Sequence, residues 1–523
     1  MSKQIIAAAL PVSKRVASHT LSRSLAVFVV VAILFVALRF WKIASFSLWG
    51  GEAFTMIGVK QTWMGMFSYV IADIVHPPLF YILLKLWISL GGESLVWLKL
   101  LPVLSSIALV VPFYFLCREL NFQWPEMSLA LFLAAVNGYL IHYAQELRMY
   151  SLFTFLSMCS FWLFLRYFNS STGTTGKLVV LTLVNLLNIY THYYGWVVVG
   201  MEFLFLLIWQ RPKLLKFGVA ALVLLLGFVP WAYPVIREAQ SIGGLERNLD
   251  WIPKPDLIDI LNFYASLNGP LGGRYLKFFA LLLFGLPPAL WLWQIIRSDS
   301  QRHGTELIAF SWLAMLSFLP VITIFLVSQR LEQAVWIDRY FIFIALPYLL
   351  FVATAAYRLE PAWVRYPWVV LIVIWSLVAG LNDLRTNRMA WTSPQLGSRV
   401  PWDVMTQQLI QAETDPSGPI NVYTLTVISK GLRTGDWASS TSLDYFLDAY
   451  GDDRFQFVYA RDVQVLLDQP PQVDHFWIAF FGLAEWSQRS PVETLTENGY
   501  RVGEAIMFQQ LSNRVVLIPV WRK

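Results

Sequence analysis

Asp73-Ile74-Val75-His76-Pro77-Pro78 stands at the entrance of an apolar run, Leu79 to Leu90, in a chain that is otherwise strongly hydrophobic. Ionisable groups at a membrane boundary are costly, which makes them functional candidates by default. Asp73 and His76 face the same way if a helix begins near them, and the paired prolines suit a first turn, where amide hydrogens have no partner to lose. Asp73 then reads as an N-cap or a base, and His76 as an orienting donor or a metal ligand. The pattern recurs elsewhere. Glu52 follows Gly50-Gly51, where the backbone can turn tightly, and reads as a first-turn acid favoured by the helix dipole or as a base. Tyr143-Ala144-Gln145-Glu146-Leu147-Arg148-Met149-Tyr150 sets an acid beside an arginine suited to grip a phosphate through paired hydrogen bonds. The plainer alternative is an exposed ion pair of little energetic worth. Tyr190-Thr191-His192-Tyr193-Tyr194-Gly195-Trp196 adds a histidine to an aromatic belt, and interfacial anchoring explains its tyrosines but not His192. Arg339-Tyr340 opens a late apolar run, placed for an anionic headgroup or for ordinary snorkelling.

The elements that must position these groups follow from composition. With 57% hydrophobic and 14% charged residues, a mean hydropathy of +0.56, 24 Trp and 37 Phe, the chain carries more apolar surface than a soluble core would hide. It reads as mainly α, a polytopic membrane helix bundle. The net charge of +6 comes from Lys and Arg scattered between apolar runs, as orientation signals are, with no basic stripe for nucleic acid. Cys117 and Cys159 lie in or beside apolar runs, which argues against a disulfide framework or a thiolate metal site.

Apolar runs near 24–41, 98–117, 126–143, 150–168, 177–190, 196–210, 216–232, 276–296, 305–327, 340–357 and 366–380 predict about eleven spans. The first is expected to be retained, with Arg39-Phe40-Trp41 as an interfacial anchor. Leu79 to Leu90 is too short to cross and reads as re-entrant or interfacial. On that reading Arg118, Arg166, Arg211, Lys213, Lys216, Arg297 and Arg358 share the side of the basic N-terminus, as the positive-inside rule asks. All the motif-bearing loops then fall on the outer face. A long outer loop from Tyr233 to about Arg274, including Trp251 and Asn268, is expected to shape or close the site. Domain 1–380 is thus membrane-embedded, and 381–523, where strand-like and helix-like runs alternate, predicts a small C-terminal α/β domain on the same outer face.

Taken together, the order Leu48-Trp49-x-x-Glu52-Ala53-Phe54-Thr55, Asp73-x-x-His76-Pro77-Pro78-Leu79-Phe80-Tyr81, Tyr143-Ala144-Gln145-Glu146-x-Arg148-x-Tyr150 and Thr191-His192-Tyr193-Tyr194-Gly195 resembles the polytopic glycosyltransferases of the C-type (GT-C) fold. The likeness is to the bacterial members of glycosyltransferase family 39, relatives of protein O-mannosyltransferases and lipid A aminoarabinose transferases. The resemblance implies an enzyme in a bacterial inner membrane with its site facing the periplasm or exterior. Its donor would be a polyprenyl-phosphate-linked sugar, transferred with inversion to a hydroxyl on a lipid, glycan or protein. Glu52, Asp73 and Glu146 are the candidate catalytic residues. His76, Gln145, Arg148, Tyr150, His192, Tyr193, Arg339 and Tyr340 are candidates for binding substrate. A divalent cation such as Mg or Mn, held by Asp73, His76 and Glu146, is left open. The family's first-loop acidic pair is normally Asp-Glu, and here Gly51 stands at the Asp position. Gly51→Asp is therefore expected to preserve or raise turnover. The rival classes are a transporter or flippase, which would need broken or charged helices near the midplane, and a catalytically silent binder of lipid-linked sugars.

Overall fold

The computed structural model describes residues 14–386 apart from 46, 172–173, 242–251, 270 and 298–302. In the tail it describes residues 402–522 apart from 414–419, 426, 430–431, 435–442, 444, 452–453, 461–462, 469, 472, 484–490 and 511–512. The first half of the bundle runs α1 (Lys14–Phe40), α2 (Gly50–Lys60), α3 (Trp63–Asp73), α4 (Leu79–Gly91), α5 (Leu95–Ala108), α6 (Val110–Glu119), α7 (Trp124–Val136), α8 (Gly138–Gln145) and α9 (Tyr150–Phe168). It continues with α10 (Thr174–Thr191), α11 (Gly195–Trp209), α12 (Leu214–Ser241), α13 (Leu257–Leu267), α14 (Arg274–Arg297), α15 (His303–Arg330), α16 (Ile342–Arg358) and α17 (Ala362–Thr386).

Among the described residues, eight segments are long and apolar enough to cross a membrane, and a ninth forms if the bent pair α7–α8 is one broken span. The expected spans at 177–190 and 196–210 correspond to the shorter apolar helices α10 and α11, which fall below that length. α4, at 13 residues, covers about 20 Å and falls short of a bilayer core of about 30 Å. α16 is apolar on every side and buried from Ile342 to Ala356, so it forms the axis on which α7, α9, α14 and α15 pack.

α7 and α8 meet at 63°. Asn137 makes the break: its Oδ1 accepts from Leu140 N at 3.1 Å, capping α8, while its Nδ2 donates to Leu267 O at 2.8 Å. The carbonyls freed at the end of α7 are met by Arg39, whose guanidinium donates to Ala134 O and Ala135 O at 2.9 Å and lies over the Phe35 ring. Arg39 is 0% exposed, so it is a buried helix-end cap rather than the expected interfacial anchor. Gln145 returns the favour, donating from the end of α8 to Arg39 O and Trp41 O at the end of α1.

The loop expected from Tyr233 to Arg274 is shorter and more structured than its composition suggests. α12 continues to Ser241 through Pro230 and Pro234, which long apolar helices tolerate, and α13 occupies its middle. Asn268 is buried, accepting from Tyr348 Oη at 2.8 Å; Trp251 lies outside the described residues.

Midway along α9, α10 and α11, Ser160 Oγ is 2.5 Å from both Glu202 Oε1 and Asn185 Oδ1, and Asn185 Nδ2 donates to Glu202 Oε2 at 2.7 Å. One serine proton serves one acceptor, so the ring closes when Glu202 itself carries a proton and donates to Ser160. Glutamine makes the same contacts. Glu202→Gln is expected to leave thermal stability in detergent unchanged, whereas Glu202→Leu strands Ser160 and Asn185 and costs about 1–3 kcal/mol.

The tail contains α18 (Trp402–Ala412), α19 (Val463–Asp468) and α20 (Pro491–Glu497) around a mixed sheet, as an α/β domain should. Its strands are β1 (Ile420–Leu425), β2 (Val427–Ser429), β3 (Leu432–Thr434), β4 (Phe455–Ala460), β5 (His475–Leu483), β6 (Tyr500–Val502), β7 (Ile506–Gln510) and β8 (Asn513–Arg522). β4, β1 and β5 are parallel, β8 lies antiparallel to β5, and β6 and β7 both pair with β8. β2 and β3 form a separate hairpin. The tail touches the first connection of the bundle: Trp402 N donates to Ser47 Oγ at 3.0 Å, and Tyr445 packs into the bundle core beneath Lys60 of α2.

Candidate active site

α3 ends at Asp73, and Ile74, with φ 54°, turns the chain so that His76 folds back. His76 Nδ1 lies 2.7 Å from Asp73 Oδ2, which fixes the ring proton on Nδ1 because an ionised carboxylate only accepts. Nε2 is then an acceptor, and it receives Arg148 Nη2 at 3.0 Å, with Tyr340 Oη at 3.4 Å. Burial and the Arg148 charge outweigh Asp73 and push the His76 pKa down to about 4, so the imidazole is neutral. The other terminal nitrogen of Arg148 donates to Gly51 O at 2.9 Å and Thr55 Oγ1 at 2.8 Å. Arg148 thus joins α2, the α3–α4 turn and the connection before α9.

Glu52 crosses the same seam from the opposite side. Its Oε2 accepts from Trp49 N at 3.1 Å in a capping box, and its Oε1 accepts from Leu147 N at 2.7 Å. Both oxygens are therefore engaged by backbone. Glu146 differs. It is 4% exposed, its Oε1 has no hydrogen-bond partner among the described residues, and its Oε2 is 3.4 Å from His142 Nε2. Burial and the adjacent Glu52 charge push its pKa up to about 8, against the pull of Arg339, Arg148 and the nearby Trp49 indole.

Aromatic rings close the cluster. Tyr340 lies 4.5 Å from the His192 ring and 6.3 Å from those of His76 and Tyr150, with Arg339 over its own face. His192 Nδ1 accepts from Tyr194 N at 3.1 Å, which leaves the proton on Nε2, a buried donor without a partner among the described residues. Burial and the surrounding cationic side chains hold His192 neutral.

The structure thus gathers Glu52, Asp73, His76, Glu146, Arg148, Tyr150, His192, Arg339 and Tyr340. It does not bring in Gln145, which faces α1, or the Tyr193 hydroxyl, which donates to Ile74 O at 3.2 Å and braces the turn from outside. Asp73, His76 and Glu146 do not converge as a ligand set: among the described residues no three His, Cys, Asp or Glu side chains gather as a metal site. Thr55, Tyr81 and Trp49 join the cluster without having been singled out. Thr55 was findable, since it sits one helical turn beyond Gly51, to whose carbonyl it donates at 3.0 Å.

Gly51 proves to be sterically required. A Cβ there would meet the Trp49 indole at 2.6 Å, and Trp49 is itself buried. The place where a side chain at position 51 would project is filled by this ring. Gly51→Asp is now expected to lower turnover about tenfold or more by displacing Trp49 and the adjoining Glu52 contacts. The double variant Gly51→Asp with Trp49→Ala should recover part of the loss, as measured by initial rates.

No family model and no curated protein matches the chain in sequence. Solved structures do match. The crystal structure of ArnT from Cupriavidus metallidurans bound to undecaprenyl phosphate aligns with a TM-score of 0.54 and 14% identity, covering 94% of this chain and 97% of that one. The apo form of the same protein gives 0.53 and 14% over 95% and 97%. The archaeal oligosaccharyltransferase AglB from Archaeoglobus fulgidus, in complex with an inhibitory peptide and a dolichol-phosphate, gives 0.48 and 14% over 81% and 63%. The ArnT likeness covers nearly all of both chains and establishes a shared fold.

Proposed function

We propose that this chain, built on the fold it shares with ArnT, is an integral membrane glycosyltransferase. It moves a sugar from a polyprenyl-phosphate donor to a hydroxyl acceptor on a lipid, glycan or protein. The observation that carries this reading is the buried cluster in which Arg148 and Arg339 stand beside an acid, Glu146, with one carboxylate oxygen free. A polyprenyl phosphate leaves as a stable anion, so its departure calls for fixed positive charge more than for a proton donor. Arg148 is held by Gly51 O, Thr55 and neutral His76, none of which neutralises it, so its charge is available to phosphate oxygens. The His192 Nε2 proton is a second, uncharged donor. Undecaprenyl phosphate, bound in the ArnT structure, is the matching leaving group.

In the reaction, Glu146 Oε1 accepts the proton of the acceptor hydroxyl as that oxygen bonds to the anomeric carbon. The bond from that carbon to the phosphate oxygen breaks with its electron pair, giving inversion and polyprenyl phosphate. Glu52 holds the first loop against the Glu146–Arg148 turn and serves the base by position. Residues 1–380 carry the transfer chemistry and residues 381–523 the outer-face domain, in a bacterial inner membrane with the site facing the periplasm. A carrier would need charge along a path, whereas Glu202, the mid-bundle acid, is closed into its own hydrogen-bonded ring.

The test supplies purified protein with a panel of undecaprenyl-phosphate sugars carrying label. Labelled acceptor should appear together with free undecaprenyl phosphate. Donor that binds without transfer or hydrolysis across hexose, pentose and amino-sugar donors would sink the reading.

A further inference from the structure

Each turnover leaves a proton on Glu146, a side chain only 3% exposed. The same carboxyl has one neighbour able to take that proton. His142, one helical turn earlier, places Nε2 3.4 Å from Glu146 Oε2 and is 11% exposed. Its ring packs edge-on against Tyr143 at 4.7 Å, which holds it in line with the carboxyl. Of the other groups facing Glu146, Arg148 and Arg339 have no proton-accepting site, Glu52 is occupied by two backbone amides, Trp49 only donates, and the Tyr143 and Tyr150 hydroxyls pass a proton on only by giving up their own, so neither is an end point for it.

We infer that His142 is the proton exit of the site, resetting Glu146 between turnovers; this rests on the transferase reading above. The acceptor proton arrives on Oε1, and rotation about Cγ–Cδ exchanges the two oxygens. The O–H bond then breaks toward Nε2 of His142 in the tautomer that carries its own proton on Nδ1. The resulting imidazolium, 11% exposed, loses its Nδ1 proton toward water, and Glu146 is again a carboxylate. His142 touches neither sugar nor phosphate and acts only through Glu146.

The signature is kinetic. The first transfer does not need the exit, and every later one does. At pH 9, where Glu146 starts out ionised, His142→Phe, which keeps a ring against Tyr143, is expected to give a burst of about one product per site at the wild-type rate, followed by a steady state about tenfold or more slower. His142→Ala should behave alike and be accelerated severalfold by imidazole in the buffer, with undecaprenyl phosphate affinity unchanged in both. A wild-type steady state in His142→Phe, or a slowed first turnover that imidazole leaves untouched, overturns the inference. Glu146→Gln separates the two claims. If it abolishes the first turnover while the histidine variants behave as wild type, the base stands and the exit falls. If it turns over normally, the base and its exit fall together.

Discussion

Arg148→Lys is expected to lower kcat about 100- to 1,000-fold, the usual cost of removing a preorganised charge from a developing anion. Lysine keeps the charge but not the fork. In the wild type, Nη1 reaches Gly51 O and Thr55 Oγ1 while Nη2 meets His76 Nε2, and this three-point grip fixes the plane of the guanidinium. A single ammonium on a flexible stem satisfies only part of that set and leaves His76 Nε2 or Thr55 short of a partner in a buried site. The loss should fall mainly on kcat, with undecaprenyl phosphate affinity weakened far less. Arg148→Ala is the poorer probe, because it removes all three bonds and confounds folding with catalysis. A lysine variant within threefold of wild type would move the phosphate to Arg339.

His76 sharpens the expectation through pH. Its pKa near 4 keeps Nε2 free to accept from Arg148 throughout the neutral range, so no change in activity between pH 6 and 9 is assigned to it. Acidification below that value would set an imidazolium against Arg148 and loosen the site.

Much of this could be read from the chain, and the failures have physical causes. Hydropathy located the spans because lipid demands long apolar helices, and it exposed Leu79–Leu90 as too short to cross. The break at Asn137 escaped notice because both halves are apolar; what marks it is an unmet set of carbonyls, visible only once Arg39 is seen to meet them. Arg39 looked like an anchor since it ends a span, and sequence carries no sign of which side it faces. The residue types at the site were legible from their order, and the structure gathers most of them, but their partners were not. Glu52 binds the amide of Leu147, an interaction that any residue at 147 except proline could supply, so no motif encodes it. Gly51 was read as a missing acid, while the reason for it lies two residues away in the Trp49 ring.

Glu146→Gln is expected to reduce turnover by at least about 1,000-fold while making the protein more stable at alkaline pH. The rate effect follows from removing the one buried carboxylate oxygen left free beside Arg148. The stability effect follows from linkage. With its folded pKa near 8, above the ordinary carboxylate range, Glu146 binds its proton more tightly in the native state than in the unfolded chain. The native state is therefore favoured while both forms are protonated, and that advantage is lost as pH rises through about 8. Glutamine never ionises and escapes the loss. The melting temperature of the variant should differ least from wild type below about pH 4.5 and exceed it increasingly up to pH 8.5, where the difference in free energy reaches the order of a few kcal/mol. Wild-type kcat/KM should conversely climb with pH and level off above about 8, since the base works only when ionised. Glu52→Gln should move the rise of that profile to lower pH, because the Glu52 charge helps hold the Glu146 pKa up, and should lower its height, because Glu52 holds the loop. A rate profile flat from pH 6 to 9 together with equal melting curves for Glu146→Gln would remove Glu146 from the proton's path.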